Sequence, residues 1–527
     1  MLLQSRKKHI GTLSLSAVLA AAVLLAGCSS SKGAEGTAPG SGAAVPASKK
    51  VTLMYHFKSG SLDPSNDYIA VRAGIVETLA KLNENLEVQP WLASKWEAKD
   101  PVTWSLTIRD GIQFQDGTPL DAAAVKASLE RSMQASKPLG GALKIASMEA
   151  SGQQLTIVTR EPHPSFVSEL VNPYTGIIST EAEKKAGTAA FNQAPVGTGP
   201  FRVKAFTPNV GVQLEKNAKY WDGAAKLDEV EWKFNEDGNV RSMALQAKEV
   251  DIATQLPAET VTAISKDAEL RVESTASLRV HFLLFNPARD AVKDVRVRRA
   301  LDLLLNRESI VGDIMLGHAA AANGPFNTRL PFGSKDPVTA SDPEQAKKLL
   351  AEAGYVPGAG GKLEKDGKPL TLDLITYKGR PELPLIAQLL QSDAAKAGIT
   401  LNIQTVENID TYLRQNKDWD FATYSNLSAP RGDGGYFLSS SLVPGGSLNA
   451  GGISIDKLNP ILARLQATSD PKQRSEITQE AVAVVREEVP HAYAVYPNLI
   501  VGLNKRVSDW KPGAEEYYIL TNKMDVK

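Results

Sequence analysis

A single cysteine, Cys28, supplies every thiol in this chain of 527 residues. A disulfide within the chain is therefore impossible, and so is a zinc or iron–sulfur centre built from several cysteines. The fold has to be held together by buried apolar surface instead. Because single cores stop growing at about 250–300 residues, we expect at least two lobes, each with its own interior.

The charges of the chain are balanced. Lys and Arg together number 59, and so do Asp and Glu, which makes the formal net charge zero. Nucleic-acid-binding proteins usually carry a basic excess, so we expect no nucleic-acid partner. The G-x-S-x-G, H-E-x-x-H and G-x-x-x-x-G-K-[ST] patterns do not occur either. These observations favour a binding protein over an enzyme.

The first 27 residues have the pattern of a secretory signal. Basic side chains at 6–8 precede an uncharged, largely apolar run over 10–27. The run leads into Leu-Ala-Gly-Cys at 25–28, which resembles the lipoprotein box of bacteria, whose cysteine is lipidated before cleavage. We predict a signal peptide over 1–27, lipidation of Cys28 and an extracytoplasmic protein that is attached to the cell membrane by the lipid alone. Residues 28–50 are mostly small or polar and are predicted to form a flexible tether.

From residue 51 onward, strand patterns alternate with helix patterns. Strands are predicted at 51–55, 104–108, 155–159, 212–215, 231–234, 250–253, 278–285, 370–377, 401–406 and 492–504, the last interrupted at Pro497. Helices are predicted at 69–82, 120–133, 239–247, 295–306, 343–353 and 383–397. This alternation predicts mixed α/β lobes rather than a helical bundle or a β-sandwich.

Several short motifs follow one another in order along the chain. They are Pro-Trp-Leu-Ala-Ser-Lys-Trp at 90–96, Ile-Arg-Asp-Gly at 108–111, Asp-Gly-Thr-Pro at 116–119, Pro-Val-Gly-Thr-Gly-Pro-Phe at 195–201, Val-Arg-Arg-Ala-Leu at 297–301, and Asp-Pro at 342–343 continuing to Ala-Gly-Tyr at 353–355. Together they resemble the motifs of the family 5 extracellular solute-binding proteins, which are the peptide- and nickel-binding components of ABC importers. Gly197 and Gly199 are expected to allow backbone angles that a β-carbon forbids.

The resemblance implies an α/β fold of the two-lobed periplasmic-binding-protein type (class II, the large type with an inserted subdomain), with mixed sheets flanked by helices. Lobe I would take residues 51–285, with the inserted subdomain at about 90–190. Lobe II would take 286–490, and 491–527 would return to lobe I. The strands at 278–285 and 492–501 would be the two crossings, about which the lobes close on a ligand.

The ligand has two candidate classes, and the first is a peptide. The resemblance implies that peptide-binding members hold the ligand's ammonium group with an Asp of lobe II. In this chain Asp433 matches a second, scaffold-like Asp of that segment. Leu427 and Ser428 stand at the earlier, ligand-holding position. An oligopeptide or dipeptide is therefore kept as the alternative ligand.

The second class is nickel. Ala-Pro at 429–430, Asp433 and Phe-Leu-Ser at 437–439 look more like the nickel-binding branch of the family. That branch often has a His just after its Asp-Pro, whereas this chain has Gly-Gly at 434–435. No His/Cys cluster has metal-ligand spacing, so nickel is expected to arrive in a small chelate, such as nickel–histidine or a metallophore complex.

The candidate site combines imidazole, guanidinium and phenol groups. His56, at the end of the first strand, is the candidate metal ligand, and His281 shares a strand face with Arg279. The arginines could hold chelator carboxylates in two-pronged hydrogen bonds. The structural alternatives are core positions for the histidines, surface ion pairs for the arginines and core packing for the tyrosines. The candidate ligand-binding residues are Tyr55, His56, Arg72, Arg279, His281, Tyr424, Arg431 and Tyr436.

The expected function is that of a substrate-binding lipoprotein, which captures a nickel chelate outside the cytoplasm and delivers it to an ABC permease. ATP chemistry would belong to separate ATPase subunits. No built-in cofactor is expected, and the chain is expected to act as a monomer.

Overall fold

The computed structural model describes residues 48–527. The predicted signal peptide, the lipidation site Cys28 and most of the predicted tether lie outside these residues. Within residues 48–527, none of the helices combines the length and the apolar character that crossing a bilayer requires.

Strands and helices alternate along most of the described chain. The strands are β1 (Lys50–Tyr55), β2 (Ala80–Leu82), β3 (Val88–Pro90), β4 (Ala93–Ala98), β5 (Thr103–Ile108), β6 (Ile145–Ser151), β7 (Gln154–Thr159), β8 (Phe201–Thr207), β9 (Gly211–Lys216), β10 (Glu229–Phe234), β11 (Ile252–Ala253), β12 (Leu270–Ala276), β13 (Arg279–Phe285), β14 (Ala319–Ala321), β15 (Val356–Pro357), β16 (Leu363–Lys365), β17 (Lys368–Pro369), β18 (Thr371–Tyr377), β19 (Thr400–Val406), β20 (Phe421–Leu427), β21 (His491–Asn504), β22 (Val507–Ser508) and β23 (Asp525–Val526). The α-helices are α1 (Ile69–Arg72), α2 (Ala122–Ala135), α3 (Lys137–Leu143), α4 (Phe166–Glu169), α5 (Thr180–Ala186), α6 (Thr188–Phe191), α7 (Gly238–Gln246), α8 (Val261–Ser265), α9 (Asp290–Lys293), α10 (Val295–Leu304), α11 (Arg307–Ser309), α12 (Pro343–Glu352), α13 (Glu382–Lys396), α14 (Ile409–Gln415), α15 (Gly435–Leu442), α16 (Asn459–Ala467) and α17 (Pro471–Glu488).

One large mixed sheet organises the protein. Its strand order is β19-β18-β20-β13-β21-β11-β1-β10-β9-β8, and β12 and β14 also pair with β21. The long strand β21 changes partners along its length: residues 491–497 pair with β13 and β14, and residues 498–504 pair with β11 and β12. On this pairing we propose two lobes. Lobe I carries β1–β12, lobe II carries β13–β20, and β21 belongs to both.

The chain crosses between these lobes twice. It passes from β12 to β13 through Ser277 and Leu278, just before the strand that was expected to be the first crossing. It returns within β21, which Pro497 does not interrupt, contrary to the prediction. Pro497 lies where β21 changes partners. There it pairs with Ala319, and its carbonyl accepts a hydrogen bond from Ser277 Oγ at 2.7 Å.

An inserted segment between β1 and β8 carries its own antiparallel sheet, in the order β4-β5-β7-β6. In β5, Trp104, Leu106 and Ile108 are buried, while the residues between them are partly exposed. This alternation is the one that predicted a strand at 104–108, and the structure confirms that strand.

The helix predicted over 69–82 is wrong beyond its first turn. The structure ends α1 at Arg72, and Gly74 follows with a φ of 64°. The carbonyls of Gly74 and Ile75 then accept hydrogen bonds from Phe201 N (3.0 Å) and Gly199 N (3.1 Å). Hydrogen bonds to a distant turn have therefore replaced the helical bonds that the local pattern predicted.

The glycines of the turn at 195–201 have a different role from the predicted one, because this turn packs against the backbone of Gly74 and Ile75. Neither Gly197 nor Gly199 has a positive φ. A β-carbon on Gly197 would lie 2.2 Å from the carbonyl oxygen of Ile75, and one on Gly199 would lie 2.2 Å from that of Gly74. These glycines are needed for close backbone approach rather than for unusual backbone angles.

Candidate functional site

The ends of two parallel strands bring the candidate residues together. In lobe I, β1 runs parallel to β10 and β11 and ends at Tyr55. In lobe II, β18 runs parallel to β19 and β20 and ends at Tyr377. Ligands of open α/β sheets bind beyond the carboxyl ends of such strands. The two ends meet here, because the guanidinium carbon of Arg380 lies 5.4 Å from the centroid of the Phe57 ring.

His56 presents an unpartnered ring nitrogen at this meeting point. Its side chain is buried, and Nδ1 lies 3.0 Å from Thr254 Oγ1. In the tautomer in which the Thr254 hydroxyl donates to the carbonyl of Met54 and accepts from Nδ1, the lone pair is on Nε2. Nε2 is buried without a hydrogen-bond partner in the described chain. Burial, together with the positive charges of Arg380 and other arginines, lowers the pKa of His56 well below its usual value. The imidazole is therefore neutral, as a metal ligand must be.

Three buried arginines surround the same point. Arg72 Nε donates to the main-chain carbonyl of Glu516 at 2.8 Å. Arg279 donates to the Glu516 carboxylate at 3.3 and 3.4 Å and to Ser425 Oγ at 3.3 Å. Arg380 is 2% exposed, and its Nη1 has no acceptor within residues 48–527. Since a buried donor without an acceptor is costly, the free N–H of Arg380 marks a place where a ligand acceptor would stabilise the protein.

The positive charges of all three arginines act on the Glu516 carboxylate. Burial alone raises the pKa of its side chain, but the charges of Arg279, Arg380 and Arg72 outweigh this effect and lower the pKa to about 2. The group is therefore ionised at any ordinary pH. Glu516 belongs to the segment that follows β21, while Arg279 lies on β13, so their contact joins the C-terminal segment to lobe II.

Tyr55 and His281 complete this group. The Tyr55 hydroxyl is buried without a partner among the described residues, and burial raises its pKa to about 12. The Tyr55 ring centroid lies 5.6 Å from the guanidinium carbon of Arg72. His281 Nε2 lies 2.6 Å from Glu382 Oε1, and burial lowers the pKa of this imidazole. His281 therefore donates to an ionised Glu382 as a neutral ring, and its Nδ1 is buried with no partner in the part of the chain described.

Arg431 and Tyr436 lie in a second part of the lobe interface. The guanidinium carbon of Arg431 is 4.0 Å from the Tyr436 ring centroid, and Arg431 forms an ion pair with Glu169 of α4. These two residues therefore connect lobe II to the inserted segment. Arg431 already has an ionised partner in Glu169, in contrast to Arg380.

The structure does not bring Tyr424 to either group. Tyr424 pairs with Phe282 across β13 and β20, and their ring centroids are 5.7 Å apart. Its hydroxyl donates to Asp410. The next residue, Ser425, is the one that contacts Arg279, so Tyr424 lies on the opposite face of the strand.

Arg380, Glu516 and Thr254 are site residues that sequence reasoning missed. Arg380 had a weak signal, because it follows the predicted strand 370–377 in a Gly-Arg-Pro turn. Glu516 had none, since it lies outside any predicted element. Its place beside Arg279 depends on how the C-terminal segment packs, which no local pattern encodes.

Two small cavities remain at the site. One, of about 20 Å³, is lined by Tyr55, His56 and Glu516 among others, and the second, of about 50 Å³, is lined by Arg380 and Glu382 among others. Each has room for one or a few water molecules. No three His, Cys, Asp or Glu side chains of residues 48–527 are grouped so that they could hold a metal ion.

Comparison with known proteins decides the family. Residues 87–449 match the bacterial extracellular solute-binding proteins, family 5 middle region. The chain belongs to this family. The predicted membership and the predicted two-lobed α/β fold are both confirmed. Family 5 proteins are the extracytoplasmic solute-binding components of ABC importers, which also contain permease and ATPase subunits.

Individual relatives cover nearly the whole chain. This chain is 33% identical to the nickel-binding protein NikA of Staphylococcus aureus over 506 residues, which are 96% of this chain and 97% of that protein. A crystal structure of S. aureus NikA with Ni(L-His)2 is similar with a TM-score of 0.82 at 34% identity, covering 91% of this chain and 100% of the other. A nickel ABC transporter structure from Bacillus halodurans is 41% identical with a TM-score of 0.75, covering 91% and 100%. The glutathione-binding protein GsiB of Salmonella typhimurium is 27% identical, covering 88% and 93%.

Proposed function

We propose that this family 5 protein captures nickel in a small chelate outside the cytoplasm and delivers it to the permease of an ABC importer, without catalysing a reaction. One observation carries the proposal. The free Nη1–H of Arg380 and the unpartnered Nε2 of His56 lie at the facing ends of β18 and β1. The Arg380 N–H can donate to a carboxylate, and the His56 nitrogen can coordinate a metal. A metal complex of an amino acid contains both a carboxylate and a metal. The nickel-binding relatives support the same ligand.

The chemistry of such a chelate fits the side chains around it. Nickel bound to L-histidine keeps carboxylate oxygens that can accept charge-assisted hydrogen bonds from Arg380 and Arg279. Nickel(II) favours nitrogen and oxygen donors, so His56 Nε2 can complete its coordination. The chelate supplies the remaining ligands, and the nickel is cargo rather than a resident cofactor.

Binding of a chelate requires the lobes to separate first. Small-molecule sites usually have volumes of about 300 Å³ or more, whereas the cavities at this site measure about 20 and 50 Å³. We propose that the lobes open about Ser277–Leu278 and β21 and close again on the ligand. The ligand would stabilise the closed state by its greater affinity for that state.

A peptide is the second candidate ligand. The relationship to GsiB favours it, as does the free N–H of Arg380, which could bind a peptide carboxylate. Recognition of a peptide's ammonium group lacks support, however. Asp433 accepts hydrogen bonds from Arg474 at 2.8 and 2.9 Å. This carboxylate is therefore already neutralised, and Leu427 and Ser428 offer none at the earlier position.

Calorimetric titration of the purified protein tests this function. The titrants are nickel alone, nickel with excess L-histidine, and a mixture of di- to pentapeptides. We expect saturable heat with nickel and histidine together and none with the peptides. Heat with the peptides and silence with nickel–histidine would replace the nickel proposal with the peptide one.

Attachment and oligomeric state form a separate part of the proposal. We propose that Cys28 carries the lipid that attaches the protein to the cell membrane and that the protein is a monomer. Mass spectrometry of the mature N-terminal peptide should show a lipid-modified Cys28. In Cys28→Ser, which lacks the thiol that lipidation requires, the N-terminal segment should carry no lipid and stay uncleaved. Sedimentation of the protein produced without residues 1–28 should give the mass of one chain; a dimer mass would contradict the monomer.

A further inference from the structure

We propose that Glu516 tunes which chelate charge the site accepts, by weakening the binding of anionic chelates relative to neutral ones. This inference rests on the proposed function, because it concerns the ligand of the same site. It goes further by naming one residue that decides which class of metal chelate is accepted.

The Glu516 carboxylate occupies the centre of the charged group. Arg279 Nε and Nη2 approach its two oxygens at 3.3 and 3.4 Å, and Arg72 Nε binds its main-chain carbonyl at 2.8 Å. Glu516 is 4% exposed and lines the same small cavity as Tyr55 and His56. A chelate that reaches His56 Nε2 must therefore lie beside this carboxylate.

The local backbone keeps the carboxylate in place. Glu516 has a φ of 61°, in the left-handed region that residues other than glycine seldom adopt. The hydrogen bond from Arg72 to its carbonyl and its burial hold this conformation. Strain of this kind persists where the surroundings over-determine it, and it is frequent at binding sites.

The charges around the cavity leave a positive excess. Arg72, Arg279 and Arg380, together with the buried Arg241 that donates to the Thr254 carbonyl at 2.7 Å, supply four positive charges, while Glu516 and Glu382 supply two negative ones. His56 and His281 are neutral. A positive excess attracts anions, and the two carboxylates reduce that attraction. An anionic chelate would place further negative charge next to Glu516, in a buried region where charges are poorly screened.

Two nickel complexes of different charge test the inference. They are nickel–bis(L-histidine), which is neutral, and nickel–EDTA, which is dianionic, and both dissociation constants are measured on the native protein and on Glu516→Gln. We expect the ratio of the nickel–EDTA constant to the nickel–histidine constant to fall at least tenfold in Glu516→Gln. An unchanged ratio would overturn the proposal. If nickel–EDTA binds the native protein too weakly to measure, measurable binding to the variant counts as the fall, and its absence counts against the proposal.

Matched variants separate charge from shape. Glu515→Gln alters the neighbouring buried carboxylate, which has no hydrogen bond to an arginine in the described chain, and it should leave the ratio unchanged. Glu516→Asp keeps the charge and should also keep the native ratio. If Glu516→Gln does not fold, Arg380→Gln removes one positive charge and should raise the ratio at least tenfold; no rise would overturn the proposal.

Failure of the function and failure of this inference give different results. If the native protein binds neither nickel complex, the proposed function fails and this inference fails with it. If the native protein binds nickel–histidine and the ratio does not respond to Glu516→Gln, only the charge selection is wrong.

Discussion

Arg431 of lobe II and Glu169 of the inserted segment form a buried ion pair, with side chains only 7% and 10% exposed. Arg431 also lies against Tyr436, 4.0 Å from its ring centroid. The pair thus connects two parts of the protein that the proposed opening would separate. Breaking one partner of a buried pair typically costs about 3–5 kcal/mol, because the other charge remains buried and uncompensated.

We predict that Glu169→Gln weakens nickel–histidine binding at least tenfold, although Glu169 lies away from Arg380 and His56. The variant loses an interaction that favours the closed arrangement, so closure has to be driven by more of the ligand's binding free energy. Calorimetry measures the affinity, and small-angle scattering should show a larger radius of gyration without ligand. The exposed pair of Arg464 and Glu480 provides the control, because Glu480→Gln should change neither quantity. Native affinity in Glu169→Gln would contradict the prediction.

His56 provides a direct test of metal ligation. We predict that His56→Gln weakens nickel–histidine binding at least tenfold, which corresponds to about 1.4 kcal/mol. It should also change the visible absorption spectrum of the bound nickel, because one nitrogen ligand is lost. His318→Gln is the control, since His318 Nδ1 contacts Ser274 at 2.9 Å, away from the arginine group. A native affinity and spectrum in His56→Gln would remove His56 from the nickel site.

The close packing between the glycine turn and the segment after α1 predicts a stability effect. In Gly199→Ala the new β-carbon would lie 2.2 Å from the Gly74 carbonyl oxygen. We expect a loss of about 1–3 kcal/mol or more in the free energy of unfolding, because the atoms that the new β-carbon meets belong to the backbone of Gly74 and Ile75 and cannot swing aside. Gly312→Ala is the matched control, since nothing lies within 4 Å of its added β-carbon and its φ is not positive. Urea unfolding measures both, and equal stabilities would refute the steric argument.

His491 predicts a pH dependence of stability. It is buried on β21 with its ring centroid 4.6 Å from that of Phe282, and burial lowers its pKa to about 3. An unfolded histidine titrates near pH 6.5. As the pH falls below that value, the unfolded chain binds a proton that the folded chain does not, so stability is lost.

The test replaces His491 with a ring that does not titrate. In His491→Phe, the fall in unfolding free energy between pH 6.5 and pH 4 should become less steep by about 1.4 kcal/mol per pH unit. Urea unfolding at several pH values measures this slope. His318→Gln should alter the slope less, because His318 is only partly buried. An unaltered slope in His491→Phe would mean that His491 is not the responsible group.

Elements with a complete local signal could be predicted from the sequence. The Asp-Pro before the helix at 343–353 is an example, because in the structure Asp342 accepts a hydrogen bond from Gln345 N at 2.9 Å and α12 begins at Pro343. The segment after Arg72 could not be predicted, since its hydrogen bonds go to residues 199 and 201, far along the chain.

The site was predictable only in part, for a related reason. Tyr55 and His56 follow from the end of the first strand, where ligands of α/β sheets bind. Tyr424 and Ser425 lie on opposite faces of β20, and only the pairing with β13 shows which face meets Arg279. For Arg380, no local pattern could show that its guanidinium would be buried without an acceptor.

Strand β21 lies in the middle of the large sheet, yet it is among the last elements to be synthesised. Until it is in place, β13 lacks one neighbour, and no strand pairing joins β11 and β12 to lobe II. A ribosome or an export channel releases the chain from its N-terminus, so the two lobes cannot join until nearly the whole chain has emerged. Truncation shortly before residue 491 should therefore abolish native folding altogether, whereas loss of a peripheral strand of the sheet would leave the rest able to form.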